Sequence, residues 1–164
     1  RKGIKELKNA ISKITNTNCE FHFIGPIPIE NQLKKEHVIY HGSINNQEHI
    51  KSIIRNCDIL ICPSYSERMP QVIMEGMASG LAVISTNVGA VNLLVSKENG
   101  YLLELNELGD LHQIIYNFTL MNKAQIDNMK NKSVELIKKK FLWSHIAQLH
   151  LIFFTKALAE KSVN

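Results

Sequence analysis

Ile4, Leu7, Ile11 and Ile14 recur at steps of three and four, the spacing of one helical face, and predict an amphipathic helix over about 3–16. The segment Cys19-Glu20-Phe21-His22-Phe23-Ile24 alternates like a strand and stops at the breaker Gly25-Pro26. After a polar linker, Val38-Ile39-Tyr40-His41 predicts a short strand closed by Gly42. Ile50, Ile53 and Ile54 give the next helix its apolar face, with Asn46 as its cap. Asp58-Ile59-Leu60-Ile61-Cys62 is continuously apolar after its first residue and bounded by Pro63, the pattern of a strand buried on both faces. Pro70 suits the first turn of the following helix and Gly80 its end. Ala82-Val83-Ile84-Ser85 is a further buried strand and Tyr101-Leu102-Leu103 the last short one. Helices are expected over roughly 107–119, 122–139 and 144–160.

This alternation calls for an α/β fold, a parallel sheet with helices on both faces. Ligands of such sheets bind beyond the carboxyl ends of the strands. The loops placed there are Gly25–His37, Gly42–Asn46, Pro63–Pro70 and Thr86–Asn92. With 164 residues, 45% of them hydrophobic and 21% charged, the chain is expected to form one domain with a buried core; two domains and disorder are excluded. It opens on Arg1-Lys2-Gly3 with no Met and runs straight into the helical pattern, so it is expected to be part of a longer protein.

The net charge of +4 suits an anionic ligand, but Lys-rich solvent faces produce the same balance. Lys138-Lys139-Lys140 is expected at a helix end, where the dipole favours cations. No interleaved basic and aromatic patch points to nucleic acid. The three cysteines, Cys19, Cys57 and Cys62, lack metal-site spacing and read as packed, reduced thiols. His37 and His41 would not share a helical face, so no metal is expected there. Phe141–Ala159 is interrupted by His145, Gln148, His150 and Lys156 and is no membrane span. Its Trp143, Ile146, Leu149, Phe153 and Ala157 recur at helical spacing, which predicts core packing, with a membrane-surface helix as the alternative.

The stretch from Pro63 to Gly80 is the most informative. A loop leaves a buried strand and feeds directly into a helix N-terminus, whose free N–H groups and dipole favour phosphate or other anionic oxygens. Glu67 lies in the loop and Glu75 about two turns into the helix. Carboxylates are poor phosphate ligands but good acceptors for sugar hydroxyls. Glu67 on sugar hydroxyls and Glu75 on a ribose, with backbone N–H groups between them, would suit a nucleotide sugar. Equally, Gln71, Glu75 and Ser79 are spaced by four as in a solvated helix stripe, and Glu67 can be an ordinary loop acid.

Extended through Leu81–Ala90 to Asn99-Gly100-Tyr101-Leu102-Leu103, this stretch resembles the C-terminal domain of family 4 (group 1) retaining glycosyltransferases. The resemblance rests on Glu67 and Glu75 with seven residues between them, Pro63-Ser64, Met77-Ala78 with Gly80, Val83-Ile84 and Asn99-Gly100. It reaches outward to Lys2-Gly3, the Ile24-Gly25 turn, Val38–Ile44, and Phe141-Leu142-Trp143, and so covers nearly the whole chain. It implies a Rossmann-like three-layer sandwich with a parallel sheet, the C-terminal half of a GT-B enzyme. The first strand of this domain and the N-terminal, acceptor-binding domain would precede residue 1.

By that resemblance Glu67 contacts the donor sugar and Glu75 the ribose hydroxyls. Lys2 neutralises the donor diphosphate, and Ile44 lies near the base. Arg68, Met69, Pro70 and Gln71 flank sugar and phosphates, with Gly25 and Ser64 also at the donor site. On their own, Lys2 reads equally as a solvated terminus and Ile44 as a core residue. The implied reaction moves a sugar with retention from a UDP- or GDP-sugar to a carbohydrate or lipid-linked acceptor hydroxyl. That belongs to polysaccharide, lipopolysaccharide or glycolipid synthesis, without cofactor or metal, in the cytoplasm or at the inner face of the membrane. A fragment lacking the acceptor half would bind donor weakly and turn nothing over. Arg68, Gly76, Ala90 and Leu93 depart from common family residues. The alternatives are a non-catalytic sugar-nucleotide-binding or interaction module and a sugar-nucleotide epimerase, a class without this loop pattern.

Overall fold

A computed structural model describes residues 2–15 and 19–161. Helix α1, Ile4–Ser12, buries Leu7, Ala10 and Ile11. It is shorter than the spacing predicts: after Ser12, Lys13 and Ile14 bond back to Ala10 and Ile11 in tighter turns. The expected end at residue 16 lies outside the described residues. Strand β1, Phe21–Ile24, runs parallel to β2, Val38–Gly42, with Phe21 opposite Val38. The ladder opens with Phe21 opposite Val38, so β1 starts two residues later than its alternation suggests. Helix α2, Gln47–Arg55, is capped by Asn46, whose side chain accepts from the N–H groups of Glu48 and His49.

Strand β3 (Ile59–Cys62), helix α3 (Gln71–Ala78), strand β4 (Ala82–Thr86) and strand β5 (Gly100–Leu103) follow. All three strands are parallel in the order β3-β4-β5. A 3-10 segment over Leu105–Asp110 leads into α4 (Leu111–Thr119), α5 (Lys123–Lys140) and α6 (Trp143–Lys161). The parallel α/β architecture is therefore as expected, but the hydrogen-bonded ladder comes in two pieces rather than one.

Alternation in β4 divides the interior. Ile84 faces one core with Leu7 and Ile11 of α1, Phe21 and Phe23 of β1, and Leu111, Ile115 and Phe118 of α4. Val83 faces the other with Ile73 and Met77 of α3, Val91, Leu94 and Val95 of the segment after β4, and Ile137 of α5. The layers are thus helix, sheet and helix. Both sides of β4 exclude water, which explains the apolar run Ala82-Val83-Ile84.

Helix α5 starts on a capping box between Asn122 and Gln125 and ends on Lys138, Lys139 and Lys140, as the charge pattern predicts. Helix α6 corrects the expectation of core packing. Trp143 is 83% exposed and Phe153 69%, and Leu149, Leu151, Ile152, Phe154 and Leu158 are exposed as well. No helix among the described residues is long and apolar enough to cross a membrane. Of the cysteines, Cys62 is buried, and Cys19 and Cys57 are half-buried. Burial pushes the Cys57 thiol above its usual range, with Asp58 adding to the effect.

Candidate functional site

The loop Pro63–Pro70 is anchored from below by two hydroxyls at the end of β4. Ser85 Oγ donates to the Cys62 carbonyl at 2.9 Å, and Thr86 Oγ1 donates to the Ser64 carbonyl. Both hydroxyl residues are fully buried. These bonds replace ladder bonds that β3 can no longer make once the chain turns upward. Ser64 is itself buried, with its hydroxyl 3.6 Å from Cys62 Sγ. It belongs to the floor of the loop.

Above this floor the loop runs into α3. Pro70 is the cap residue rather than the first helical one, and its carbonyl accepts from Ile73 and Met74. The leading N–H groups of Gln71 and Val72 lie at the positive end of the helix dipole and have no acceptor within the helix. Gly76 lets α3 sit close on β3: a Cβ there would come within 2.8 Å of Leu60 Cδ2.

The start of α1 comes to the same loop. Gly3 has φ +66°, and a Cβ on it would lie 1.8 Å from the Pro63 carbonyl oxygen, so only glycine fits. That contact delivers Lys2, whose Nζ donates to Glu67 Oε1 at 2.6 Å. The Lys2 side chain is 66% exposed and that of Glu67 11%. With one partner so exposed, the pair contributes on the order of 1 kcal/mol or less to stability. Its value is geometric: a cation and a carboxylate 65 positions apart share one spot. A second tie joins the same elements. The Tyr65 hydroxyl donates to the Glu6 carboxylate, a bond that lowers the pKa of Glu6 and raises that of Tyr65.

A third segment completes the surroundings. After β4 the chain turns at Gly89, φ +59°, where a Cβ would lie 2.0 Å from the Glu67 carbonyl oxygen. The next residue, Ala90, donates its N–H to the Arg68 carbonyl at 2.9 Å. The structure thus brings Lys2, Glu67 and Arg68 together, with Met69, Pro70 and Gln71 following in the chain. Arg68, Met69 and Gln71 are exposed. Glu75 is exposed on α3, and its carbonyl accepts from both the N–H and the hydroxyl of Ser79. Gly25 and Ile44 belong to the other half-sheet. The Gly25 N–H bonds the Gly42 carbonyl at 2.8 Å, and Ile44 follows two residues later, half-buried.

Sequence reasoning passed over Gly3 and Gly89 as close-packed residues, and over Thr86 and Tyr65 as ties. A glycine in the turn after a buried strand, or directly before a helix facing a site loop, is the one signal that could have pointed to the first two. The histidines settle differently from the pairing considered for metal. His41 stacks on His22, with Nε2 of the one 2.9 Å from Nδ1 of the other, while His37 tilts against Phe21. No group of three or more metal-ligating side chains occurs among the described residues. A hollow of about 340 Å³ beside α5, lined by Lys97, Met121, Met129 and Lys132 among others, shares no residue with the loop Pro63–Pro70.

Comparison with known proteins bears on the family and the fold. The family model described as glycosyl transferases group 1 matches residues 1–118. An uncharacterized glycosyltransferase of Methanocaldococcus jannaschii is 30% identical over 150 residues, 87% of this chain and 41% of its own. A Bacillus subtilis glycosyltransferase ascribed to teichuronic acid biosynthesis, TuaC, is 33% identical over 103 residues, 63% of this chain and 26% of its own. Among solved structures, sucrose-phosphate synthase of Thermosynechococcus elongatus superposes with a TM-score of 0.78 at 22% identity, covering 98% of this chain and 43% of that one. Anabaena HepE in complex with UDP and glucose gives 0.74 at 19% identity, covering 94% and 45%. This chain therefore spans less than half the length of these relatives. The structural likenesses at these identities speak for the fold, that of GT-B enzymes. With most of its length matched by the family model and its parallel α/β fold shared with GT-B enzymes, the chain belongs to the group 1 glycosyl transferases.

Proposed function

We propose that residues 1–164 form the donor-binding half of a retaining glycosyltransferase that moves a sugar from a nucleoside-diphosphate sugar to an acceptor hydroxyl. One observation carries this: Lys2 Nζ meets Glu67 Oε1 at 2.6 Å in the loop that feeds α3. A cation for a diphosphate and a carboxylate for sugar hydroxyls then adjoin a helix N-terminus that favours anionic oxygens. HepE, whose fold this chain shares, is known in complex with UDP and with UDP-glucose, which supports a nucleotide sugar as partner. The teichuronic acid enzyme supports a place in cell-surface polysaccharide synthesis, at the cytoplasmic side of the membrane.

In this scheme Glu67 accepts from donor sugar hydroxyls and Glu75 from the ribose diol. Ile44 and Gly25 border the base, and the backbone from Arg68 to Gln71 lines the phosphates. The bond from the anomeric carbon to the diphosphate breaks, and a bond from that carbon to the acceptor oxygen forms on the same face. The acceptor proton passes to the leaving phosphate oxygen. Lys2 and the start of α3 stabilise the charge that grows on the diphosphate, and the remaining barrier is lowered by positioning. The acceptor is held by polypeptide outside residues 1–164.

The test is calorimetric titration of the full-length protein with UDP, GDP, ADP and dTDP. Saturable heat with at least one of them, lost in Glu75→Ala, is expected. Silence with all four removes the donor-site assignment, and heat unchanged in Glu75→Ala removes Glu75 from the ribose.

A further inference from the structure

We infer that Gly89 is a positioning residue for Glu67: its bare Cα lets the turn after β4 lie directly on the Glu67 and Arg68 carbonyls, which fixes the backbone from which the Glu67 carboxylate reaches Lys2. This rests on Glu67 being the group that holds the donor sugar. The geometry has two parts. Gly89 has φ +59°, a left-handed conformation that side chains rarely adopt, and a Cβ on it would lie 2.0 Å from the Glu67 carbonyl oxygen and 2.9 Å from that of Arg68. Neither contact can be relieved by rotating a side chain, because both partners are backbone. Beside it, Ala90 N–H holds the Arg68 carbonyl at 2.9 Å.

The consequence for Glu67 is directional. Its carbonyl, and that of the next residue, are each fixed by the same turn, so the two peptide planes flanking Arg68 have set orientations. Peptide planarity then fixes the Cα–C bond of Glu67, and its Cα–Cβ bond can swing only about that axis. From there the carboxylate meets Lys2 Nζ at 2.6 Å, and Lys2 is itself held by the contact of Gly3 on Pro63. Glu67 is gripped from two sides, at its backbone by the turn after β4 and at its carboxylate by the start of α1. Catalytic groups must be held to within a fraction of an ångström, and a shift of the whole loop by the width of a methyl exceeds that.

Two variants test this in the full-length protein. Gly89→Ala adds the forbidden Cβ. Ala90→Pro removes the N–H that holds Arg68 at a residue whose φ of −93° proline can approach. Thermal melting is recorded for both, and each is compared with Glu67→Gln and with the double variant Gly89→Ala/Glu67→Gln. The first readout needs no ligand: the rate at which acetic anhydride modifies Lys2, followed by peptide mass spectrometry. Gly89→Ala, Ala90→Pro and Glu67→Gln should each raise that rate by a similar factor, since each frees the Lys2 ammonium. The second is affinity for UDP-glucose relative to UDP. It should fall by the same factor, about tenfold for one lost charge-assisted hydrogen bond, in Gly89→Ala and Glu67→Gln, and no further in the double variant.

A general loss of structure would lower UDP and UDP-glucose binding alike, and that result overturns the inference. So does a Lys2 rate unchanged in Gly89→Ala and Ala90→Pro while Glu67→Gln raises it, or a double variant in which the two effects add. If the wild type binds UDP-glucose no better than UDP while the Lys2 rates shift as expected, Gly89 still positions Glu67, and the donor-sugar role of Glu67 is what falls.

Discussion

Replacing Thr86 by valine removes one hydroxyl and almost no volume, and so isolates the bond that holds down the site loop. Thr86 is fully buried and its Oγ1 donates to the Ser64 carbonyl, which belongs to a residue only 1% exposed. Valine leaves that carbonyl without this donor and with no route to water, a loss of about 1–3 kcal/mol. No cavity forms, because the two side chains match in shape. For a domain of this size each 1 kcal/mol lowers the melting temperature by roughly 2–4 °C, so Thr86→Val should melt about 2–12 °C below wild type. Thr86→Ser is the control: it keeps the hydroxyl and loses one buried methyl, about 1 kcal/mol. Differential scanning calorimetry gives the global effect. Amide hydrogen exchange should show lost protection across 63–70 in Thr86→Val and little change there in Thr86→Ser. If Thr86→Val melts at or above wild type while Thr86→Ser melts lower, the methyl contributes and the hydroxyl does not, and the account of the loop floor fails.

Two glycines should respond differently to an added methyl, as measured by urea denaturation. At Gly100 the new Cβ would sit 1.8 Å from the Val83 carbonyl oxygen, inside the pairing of β4 with β5, so Gly100→Ala should cost about 3 kcal/mol or more. At Gly76 the obstacle is the end of the Leu60 side chain, which can rotate away, and alanine gains about 1 kcal/mol of helix propensity. Gly76→Ala should therefore lie within about 1 kcal/mol of wild type; a large loss there would mean that Leu60 cannot move. The stacked histidines predict a pH dependence. Burial first, then the neighbouring His22 and His49, hold His41 below its usual pKa of 6.5, while Glu20 approaches the far nitrogen of His22 at 3.4 Å. The unfolded chain therefore takes up the proton first. The contribution of His41 is complete above 6.5 and is lost as pH falls through its lower folded value. Urea midpoints should drop on acidification below neutrality, and less so in His41→Gln; equal slopes for the two proteins would remove His41 as the source.

The elements were legible wherever burial wrote itself into composition. The runs Ile59–Cys62 and Ala82-Val83-Ile84 are apolar because both faces of the sheet are covered, and Asn46 announces the start of α2 through its capping chemistry. The glutamates of the site loop were legible as residue types in a loop between strand and helix. What stayed hidden is what depends on pairing across distance. Nothing local in Lys2 names Glu67, and nothing in Gly89 names the carbonyl it lies on. The two-piece ladder is likewise invisible in strand periodicity, which reports faces and not edges. For α6 the same periodicity misled: Trp143, Leu149 and Phe153 have the spacing of a packed helix, but spacing cannot say what a face is packed against.

That helix has a further consequence. Among the described residues, neither core draws on a side chain from Trp143 to Leu158; the last side chain to join them is Phe141, at the end of α5. Free energy and sequence are thus decoupled over the final helix. Substitutions along α6 are nearly invisible to the fold of the body, so melting curves would pass them as silent. Trp143, Phe153, Phe154 and Leu158 thus present apolar surface that adds nothing to either core. A stability screen of this chain would therefore rank its most apolar surface as its most expendable part.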